Sequence, residues 1–244
     1  MTLRRLLVAV NLVFSSVAAA QGIQPSGVSP LASAGEIHGK IVLSARREAM
    51  EGHMRAALLS RYMSHGAEEA ARMAVSAGTA TGKLSERAVV YIEGEELNRH
   101  TYPLPEKHPV LNQQNLQFHP QVLPILVGTT VDFPNRDNLF HNVFSYSEPK
   151  DFDLGRYPRD DSRSVTFDRP GTVRVYCDIH SHMNATILVL RHPFFAVPSD
   201  DGEYVIANIP PGKYHLVVWY DREAVERIPV EIQAGTSIEK NIAF

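Results

Sequence analysis

The sequence predicts an all-β fold built as an antiparallel β-sandwich, with a helical insertion and a smaller C-terminal β extension. Three observations carry this. Short apolar or alternating runs are dense from residue 122 to 190, separated by Pro, Gly, Asn and Asp. A stretch over 46–77 is rich in Ala, Met, Leu, Glu and Arg, which are good helix formers. A further set of strand-like runs fills 193–244.

In chain order, Gly39 to Leu43 reads as a short strand and Gly66 divides the helical stretch. Ala88 to Ile92 is a strand, and 93–115 is polar and proline-containing, a long loop. Val122–Val127, Thr130–Phe133, Phe140–Phe144, Ser164–Phe167, Thr172–Cys177 and Thr186–Leu190 are the strands of the main sandwich. Alternation places Val173, Val175 and Cys177 on one face. These limits predict a domain over 36–192 with its insert near 46–77, and an extension over 193–244.

The first residues read as an export signal over 1–20. Arg4 and Arg5 precede an apolar run, Leu6 to Phe14, too short to span a bilayer, and Ala18-Ala19-Ala20 suits cleavage. Residues 21–35 are small and polar, a flexible leader. The expected location is the periplasm. A net charge of −3 and a pI near 6.4 argue against nucleic-acid binding. No apolar run after residue 20 is long enough for a membrane-spanning helix.

The chain has 1 cysteine, so an internal disulfide is impossible and the thiol needs another explanation. Cys177 ends a strand on its inward face, and His180 and Met183 follow at spacings of three. His141 follows another strand-like run. One thiolate, two imidazoles and a weak thioether are the ligand set of a mononuclear blue-copper site. A short loop brings Cys177, His180 and Met183 around one point, and His141 stitches in a second part of the sandwich. His182 competes with His180. It is adjacent to Met183, however, which leaves the methionine poorly placed for an axial position, so His180 is preferred. Asn142 is expected to tie the two ligand segments together, with a simple turn residue as the alternative. Asp178, next to the cysteine, is expected to favour copper(II) and lower the potential if it stays ionised.

Phe140-His141-Asn142-Val143-Phe144 with Cys177-x2-His180-x2-Met183 resembles the cupredoxin family, with a loop length like that of amicyanin. The wider stretch 115–190 is similar to the methylamine-utilisation, plastocyanin-like branch. It includes Val127 to Asn135 and Phe152 to Tyr157. The resemblance implies a Greek-key cupredoxin sandwich, one type 1 copper ion used for electron transfer, and a surface-near histidine after the cysteine. The segment from Asp200 to Leu216 resembles carboxypeptidase regulatory-like, transthyretin-type sandwiches. It is short for a full module and is expected to borrow a strand, with Gly39 to Leu43 the candidate.

The remaining histidines (His192 among them) read as surface or satisfied residues. Met50 and Met54, four apart on one helix face, read as packing residues rather than copper(I) ligands. The function expected is a non-enzymatic one-electron carrier between a dehydrogenase or c-type cytochrome and another redox partner. The alternatives are copper delivery without redox turnover, or a scaffolding protein with a vestigial site.

Overall fold

The computed structural model describes residues 34–53 and 83–244. The signal, most of the leader, and residues 54–77 of the insert with Met54 lie outside them. A helix covers 45–53, and Met50 on it is exposed.

The strands, numbered along the chain, are β1 (Gly35–Val42), β2 (Ala88–Glu93), β3 (Asn112–Gln114), β4 (Gln117–His119), β5 (Val122–Leu126), β6 (Thr129–Pro134), β7 (His141–Ser147), β8 (Lys150–Tyr157), β9 (Ser162–Phe167), β10 (Gly171–Tyr176), β11 (Asn184–Leu190), β12 (Phe195–Ala196), β13 (Glu203–Ile209), β14 (Gly212–Tyr220), β15 (Glu223–Ile232), β16 (Ser237–Glu239) and β17 (Ile242–Ala243). They form two sandwiches.

The central sandwich has one sheet in the order β5-β11-β10-β7-β8. The pair β6–β9 and the hairpin β3–β4 cover it, linked by bridges from Val110 to Asp132 and Gln113 to Asn135. The β5–β11 pair is parallel; the other pairs of this sheet are antiparallel. Alternation works as expected on β10: Val173 and Val175 are fully buried and Cys177 nearly so. They pack with Val131, Phe133, Val143, Phe167, Met183 and Ile187. A buried polar bridge crosses this core, where the Tyr157 hydroxyl donates to the Phe133 carbonyl (2.8 Å) and Gln113 Nε2 donates to Tyr157 (2.6 Å).

The second sandwich pairs the sheet β13-β1-β16, with β17 on β1, against the sheet β12-β2-β14-β15. The strand borrowed from the N-terminal segment is therefore β1, running antiparallel to β13 and parallel to β16 and β17. Gly39 has no room for a side chain, because a Cβ there would collide with the Lys240 carbonyl. β2 joins the same unit by pairing with β14 and β12. β1 is the strand expected to be borrowed, whereas β2 falls within the expected central domain of 36–192 and pairs instead with the extension. The reason is complementarity of edges: the C-terminal strands alone leave a sheet short of partners for their backbone groups.

β2 reads as continuously apolar because it is buried on both faces. Val90 and Ile92 enter the core of the second sandwich. Val89 and Tyr91, with Val217 and Trp219 of β14, pack against Val122, Leu188 and Leu190 of the central unit. Full burial of such a side chain contributes about 1.5–3 kcal/mol, so this seam joins the two sandwiches firmly.

His192 lies in the link between β11 and β12. It is 4% exposed, and its Nδ1 has no hydrogen-bond partner. The expectation of a surface or satisfied histidine fails here, because the residue falls under the seam between the units. Burial lowers its pKa to about 4.

Candidate metal centre

The β7–β8 pair carries an irregularity beside His141. One more residue on β8 than on β7 lies between the pairs Asn142–Arg156 and Phe144–Asp153, and Gly155 there has a φ of +63°. Both His141 and Asn142 are consequently buried, against strict alternation. Cys177 follows β10 directly, and the chain re-enters the sheet as β11 at Asn184. The intervening loop is closed by two backbone bonds: Met183 N–H donates to the His180 carbonyl (2.9 Å), and Cys177 N–H to the Met183 carbonyl (3.3 Å).

This places three of the expected ligands together. His141 Nδ1 and His180 Nδ1 are 3.0 Å apart, and Cys177 Sγ is 3.7 Å from His180 Nδ1. The donor atoms of His141, Cys177 and His180 all lie within 4.8 Å of one another. Met183, the fourth expected ligand, is buried in the same cluster as Cys177. His182 is not part of this cluster of converging donors, and its ring centroid lies 6.2 Å from that of His180.

Asn142 bridges the ligand segments. Its Oδ1 accepts from the Asp178 N–H (2.8 Å), and its Nδ2 donates to Asp153 Oδ1 (2.8 Å). The loop after Cys177 is thus fastened to the strand that begins with His141. Asp178 itself points outward and pairs with Arg156 Nη2 at 3.0 Å, with both side chains substantially exposed. Arg156 offsets the charge through which Asp178 was expected to lower the potential.

Two contributors escaped the sequence reading. Asp137 accepts from His141 Nε2 (2.9 Å) and orients that ring. Its carboxylate is held by the Asn115 N–H (2.6 Å) and Leu116 N–H (2.8 Å), two residues in left-handed backbone conformation. Asn184 donates through Nδ2 to the His182 carbonyl (2.9 Å). An aspartate four residues before His141 was visible in the chain, but its link to residues 115–116 was not.

The electrostatics follow from this packing. Burial pushes the Cys177 thiol pKa up, but His141 and the N–H groups of Asn142, His180 and Ile179 outweigh it, so the pKa falls. Burial disfavours the His141 imidazolium, yet Cys177 and Asp137 beside it raise its pKa. His180 moves the other way, through burial and the neighbouring His141 and His182. Asp137 loses to burial but gains more from its N–H donors and His141, and its pKa is lowered. The site favours a thiolate and neutral imidazole at His180, the forms that bind metal.

The donor chemistry fits copper. Separations of 3.0 and 3.7 Å between donors are those given by metal–ligand bonds of about 2.0–2.3 Å meeting at one point. Two imidazoles and a thiolate with a thioether nearby are the set copper accepts in both its common oxidation states.

Residues 107–190, about a third of the chain, match the family of copper binding proteins described as plastocyanin/azurin. This match supports assigning the central unit to the cupredoxins, and with the His141–Cys177–His180 cluster it supports copper as the metal. Solved structures similar to the chain include a methionine-to-alanine variant of amicyanin with Cu(I), at 20% identity and a TM-score of 0.33, covering 41% of this chain and 98% of that one. A purple cupredoxin from Nitrosopumilus maritimus is 25% identical with a TM-score of 0.30, covering 33% and 96%. A copper-containing nitrite reductase from Thermus scotoductus SA-01 is 27% identical with a TM-score of 0.34; the match covers 38% of this chain and 24% of that protein's length. The search of curated proteins gave no match.

Proposed function

We propose that this protein is an exported one-electron carrier that holds a single type 1 copper through His141, Cys177, His180 and Met183. The observation that carries the reading is the burial pattern of this set. His141, Cys177 and Met183 are 0%, 3% and 1% exposed, whereas His180 is half-buried. Copper bound there supplies a one-electron couple between its +1 and +2 states. The protein side of the work is positional. Asp137 fixes the His141 ring, Asn142 holds the loop to β7, and the apolar walls exclude water from the thiolate.

Half-burial of His180 leaves one ligand edge toward solvent, which suits outer-sphere transfer and gives a substrate little room to coordinate. That favours a carrier over an enzyme. Phe140 and Ile179, each next to a ligand in sequence, are 58% and 39% exposed. Exposed apolar side chains of this kind mark a surface for contact with another protein. The partner class that fits is a c-type cytochrome or a dehydrogenase, met in the periplasm after signal removal.

The test is addition of Cu(II) to the purified protein, followed by visible and EPR spectra. A strong blue to purple thiolate-to-copper band, lost in Cys177→Ser, is expected. His180→Gly should open a coordination position that added imidazole refills, and His182→Gly should not. Rapid mixing with reduced cytochrome c should then bleach the band. A colourless protein retaining zinc sinks the reading. A coloured protein inert toward redox proteins assigns it to copper delivery instead.

A further inference from the structure

The second sandwich reaches the end of the ligand loop through a hydrogen bond from Arg222 to Asn184, the first residue of β11. The turn between β14 and β15 carries Asp221 and Arg222. Asp221 has a φ of +55° and is held on three sides. Its carboxylate accepts from Arg87 Nε (2.6 Å) and Nη2, its N–H donates to the Arg87 carbonyl (2.9 Å), and its carbonyl accepts from the Trp219 indole N–H (3.3 Å). Trp219 is itself set in the apolar seam between the units. A turn fixed in this way presents Arg222, whose Nη2 donates to Asn184 Oδ1 at 2.8 Å.

Asn184 is the residue after Met183. Its other amide atom, Nδ2, donates to the His182 carbonyl (2.9 Å). A single side chain thus joins the rigid turn of the C-terminal unit to the backbone on both sides of Met183. At the other end of the same loop, Asn142 holds Asp178.

We propose that the C-terminal sandwich is a clamp on the copper loop, with Arg222 and Asn184 as positioning residues that set the placement of Met183 and limit the loop's movement. The proposal rests on the carrier reading, because restricted ligand movement matters most where copper changes oxidation state without leaving. A loop held at both ends keeps its ligands in nearly one geometry through that change. The exposed position of Arg222 means the clamp acts through orientation more than through stability.

The test uses the full chain and the variants Arg222→Ala, Arg222→Lys and Asn184→Asp. Amide hydrogen exchange by NMR on the metal-free and Cu(I) proteins reads loop opening. Arg222→Ala is expected to speed exchange of the Met183 amide about tenfold while amides of β14 keep their protection. Arg222→Lys should restore most of the protection, since one cationic donor suffices. Asn184→Asp keeps an acceptor for Arg222 but loses the donor to the His182 carbonyl, so it should loosen the loop as Arg222→Ala does. In the Cu(II) protein, Arg222→Ala should change the EPR hyperfine splitting and the ratio of the visible bands. Unchanged Met183 exchange and unchanged spectra in Arg222→Ala overturn the clamp. Because exchange in the metal-free protein needs no electron transfer, the clamp and the carrier reading fail separately.

Discussion

Replacing Asn142 with alanine probes how the site is assembled. The side chain is 2% exposed and makes two hydrogen bonds of 2.8 Å, one from the Asp178 N–H and one to Asp153. The Asp178 N–H loses its acceptor, at a cost of about 1–1.5 kcal/mol. The bond to a carboxylate is worth more in principle, about 1.5–3 kcal/mol, but Asp153 is exposed and water can replace part of it. The sum is about 2 kcal/mol. In a protein of this size that corresponds to a fall of about 4–8 °C in the melting temperature. Differential scanning calorimetry of the metal-free protein measures it. Asn142→Asp is the control. It keeps an acceptor for the Asp178 N–H but sets a second carboxylate against Asp153, so it should be at least as destabilising at neutral pH and recover at acid pH as one carboxylate takes a proton. If Asn142→Ala melts with the parent and its copper spectrum is unchanged, Asn142 is a simple turn residue and the fastening is not at this position.

Acid should weaken the protein through His192. Its folded pKa of about 4 lies below the ordinary value near 6.5, so between those limits the unfolded chain binds a proton the folded chain refuses. Stability is full above about pH 6.5 and falls as the pH drops toward 4, by about 3 kcal/mol in all. Urea melts across that window should lose most of this slope in His192→Leu, which also removes an unpartnered Nδ1; an unchanged slope would count against it. The Asp178–Arg156 pair predicts opposite shifts in potential. Arg156→Gln leaves the carboxylate uncompensated and should lower the midpoint, whereas Asp178→Asn should raise it, each on the order of tens of millivolts. Voltammetry at two salt concentrations checks this, since an exposed pair is screened; shifts of the same sign in both variants would refute the compensation.

Much of the central unit was legible because its signals are local. Period-two alternation put Val173, Val175 and Cys177 inward, and they are buried. The loop from Cys177 to Met183 is so short that it must bring its donors together, so His180 could be preferred over His182. Less could be read where partners are distant in sequence. β8 pairs with β7 around an irregularity at Gly155, and nothing in 150–157 announces which residues lie opposite. Asp137 looked like one loop acid among several until the backbone of 115–116 was seen to grip it.

The sequence alone determined the candidate ligand types, their spacing and the strand that turns Cys177 inward, because chain connectivity bounds distances within a short loop. Only the tertiary structure decided which edges meet. β2 completes the C-terminal sandwich rather than the central one, beside the β1 strand whose borrowing was expected, since unpaired backbone groups and apolar faces select partners by shape and not by order in the chain. For the same reason Arg222, thirty-eight positions beyond Asn184, came to lie against the copper loop.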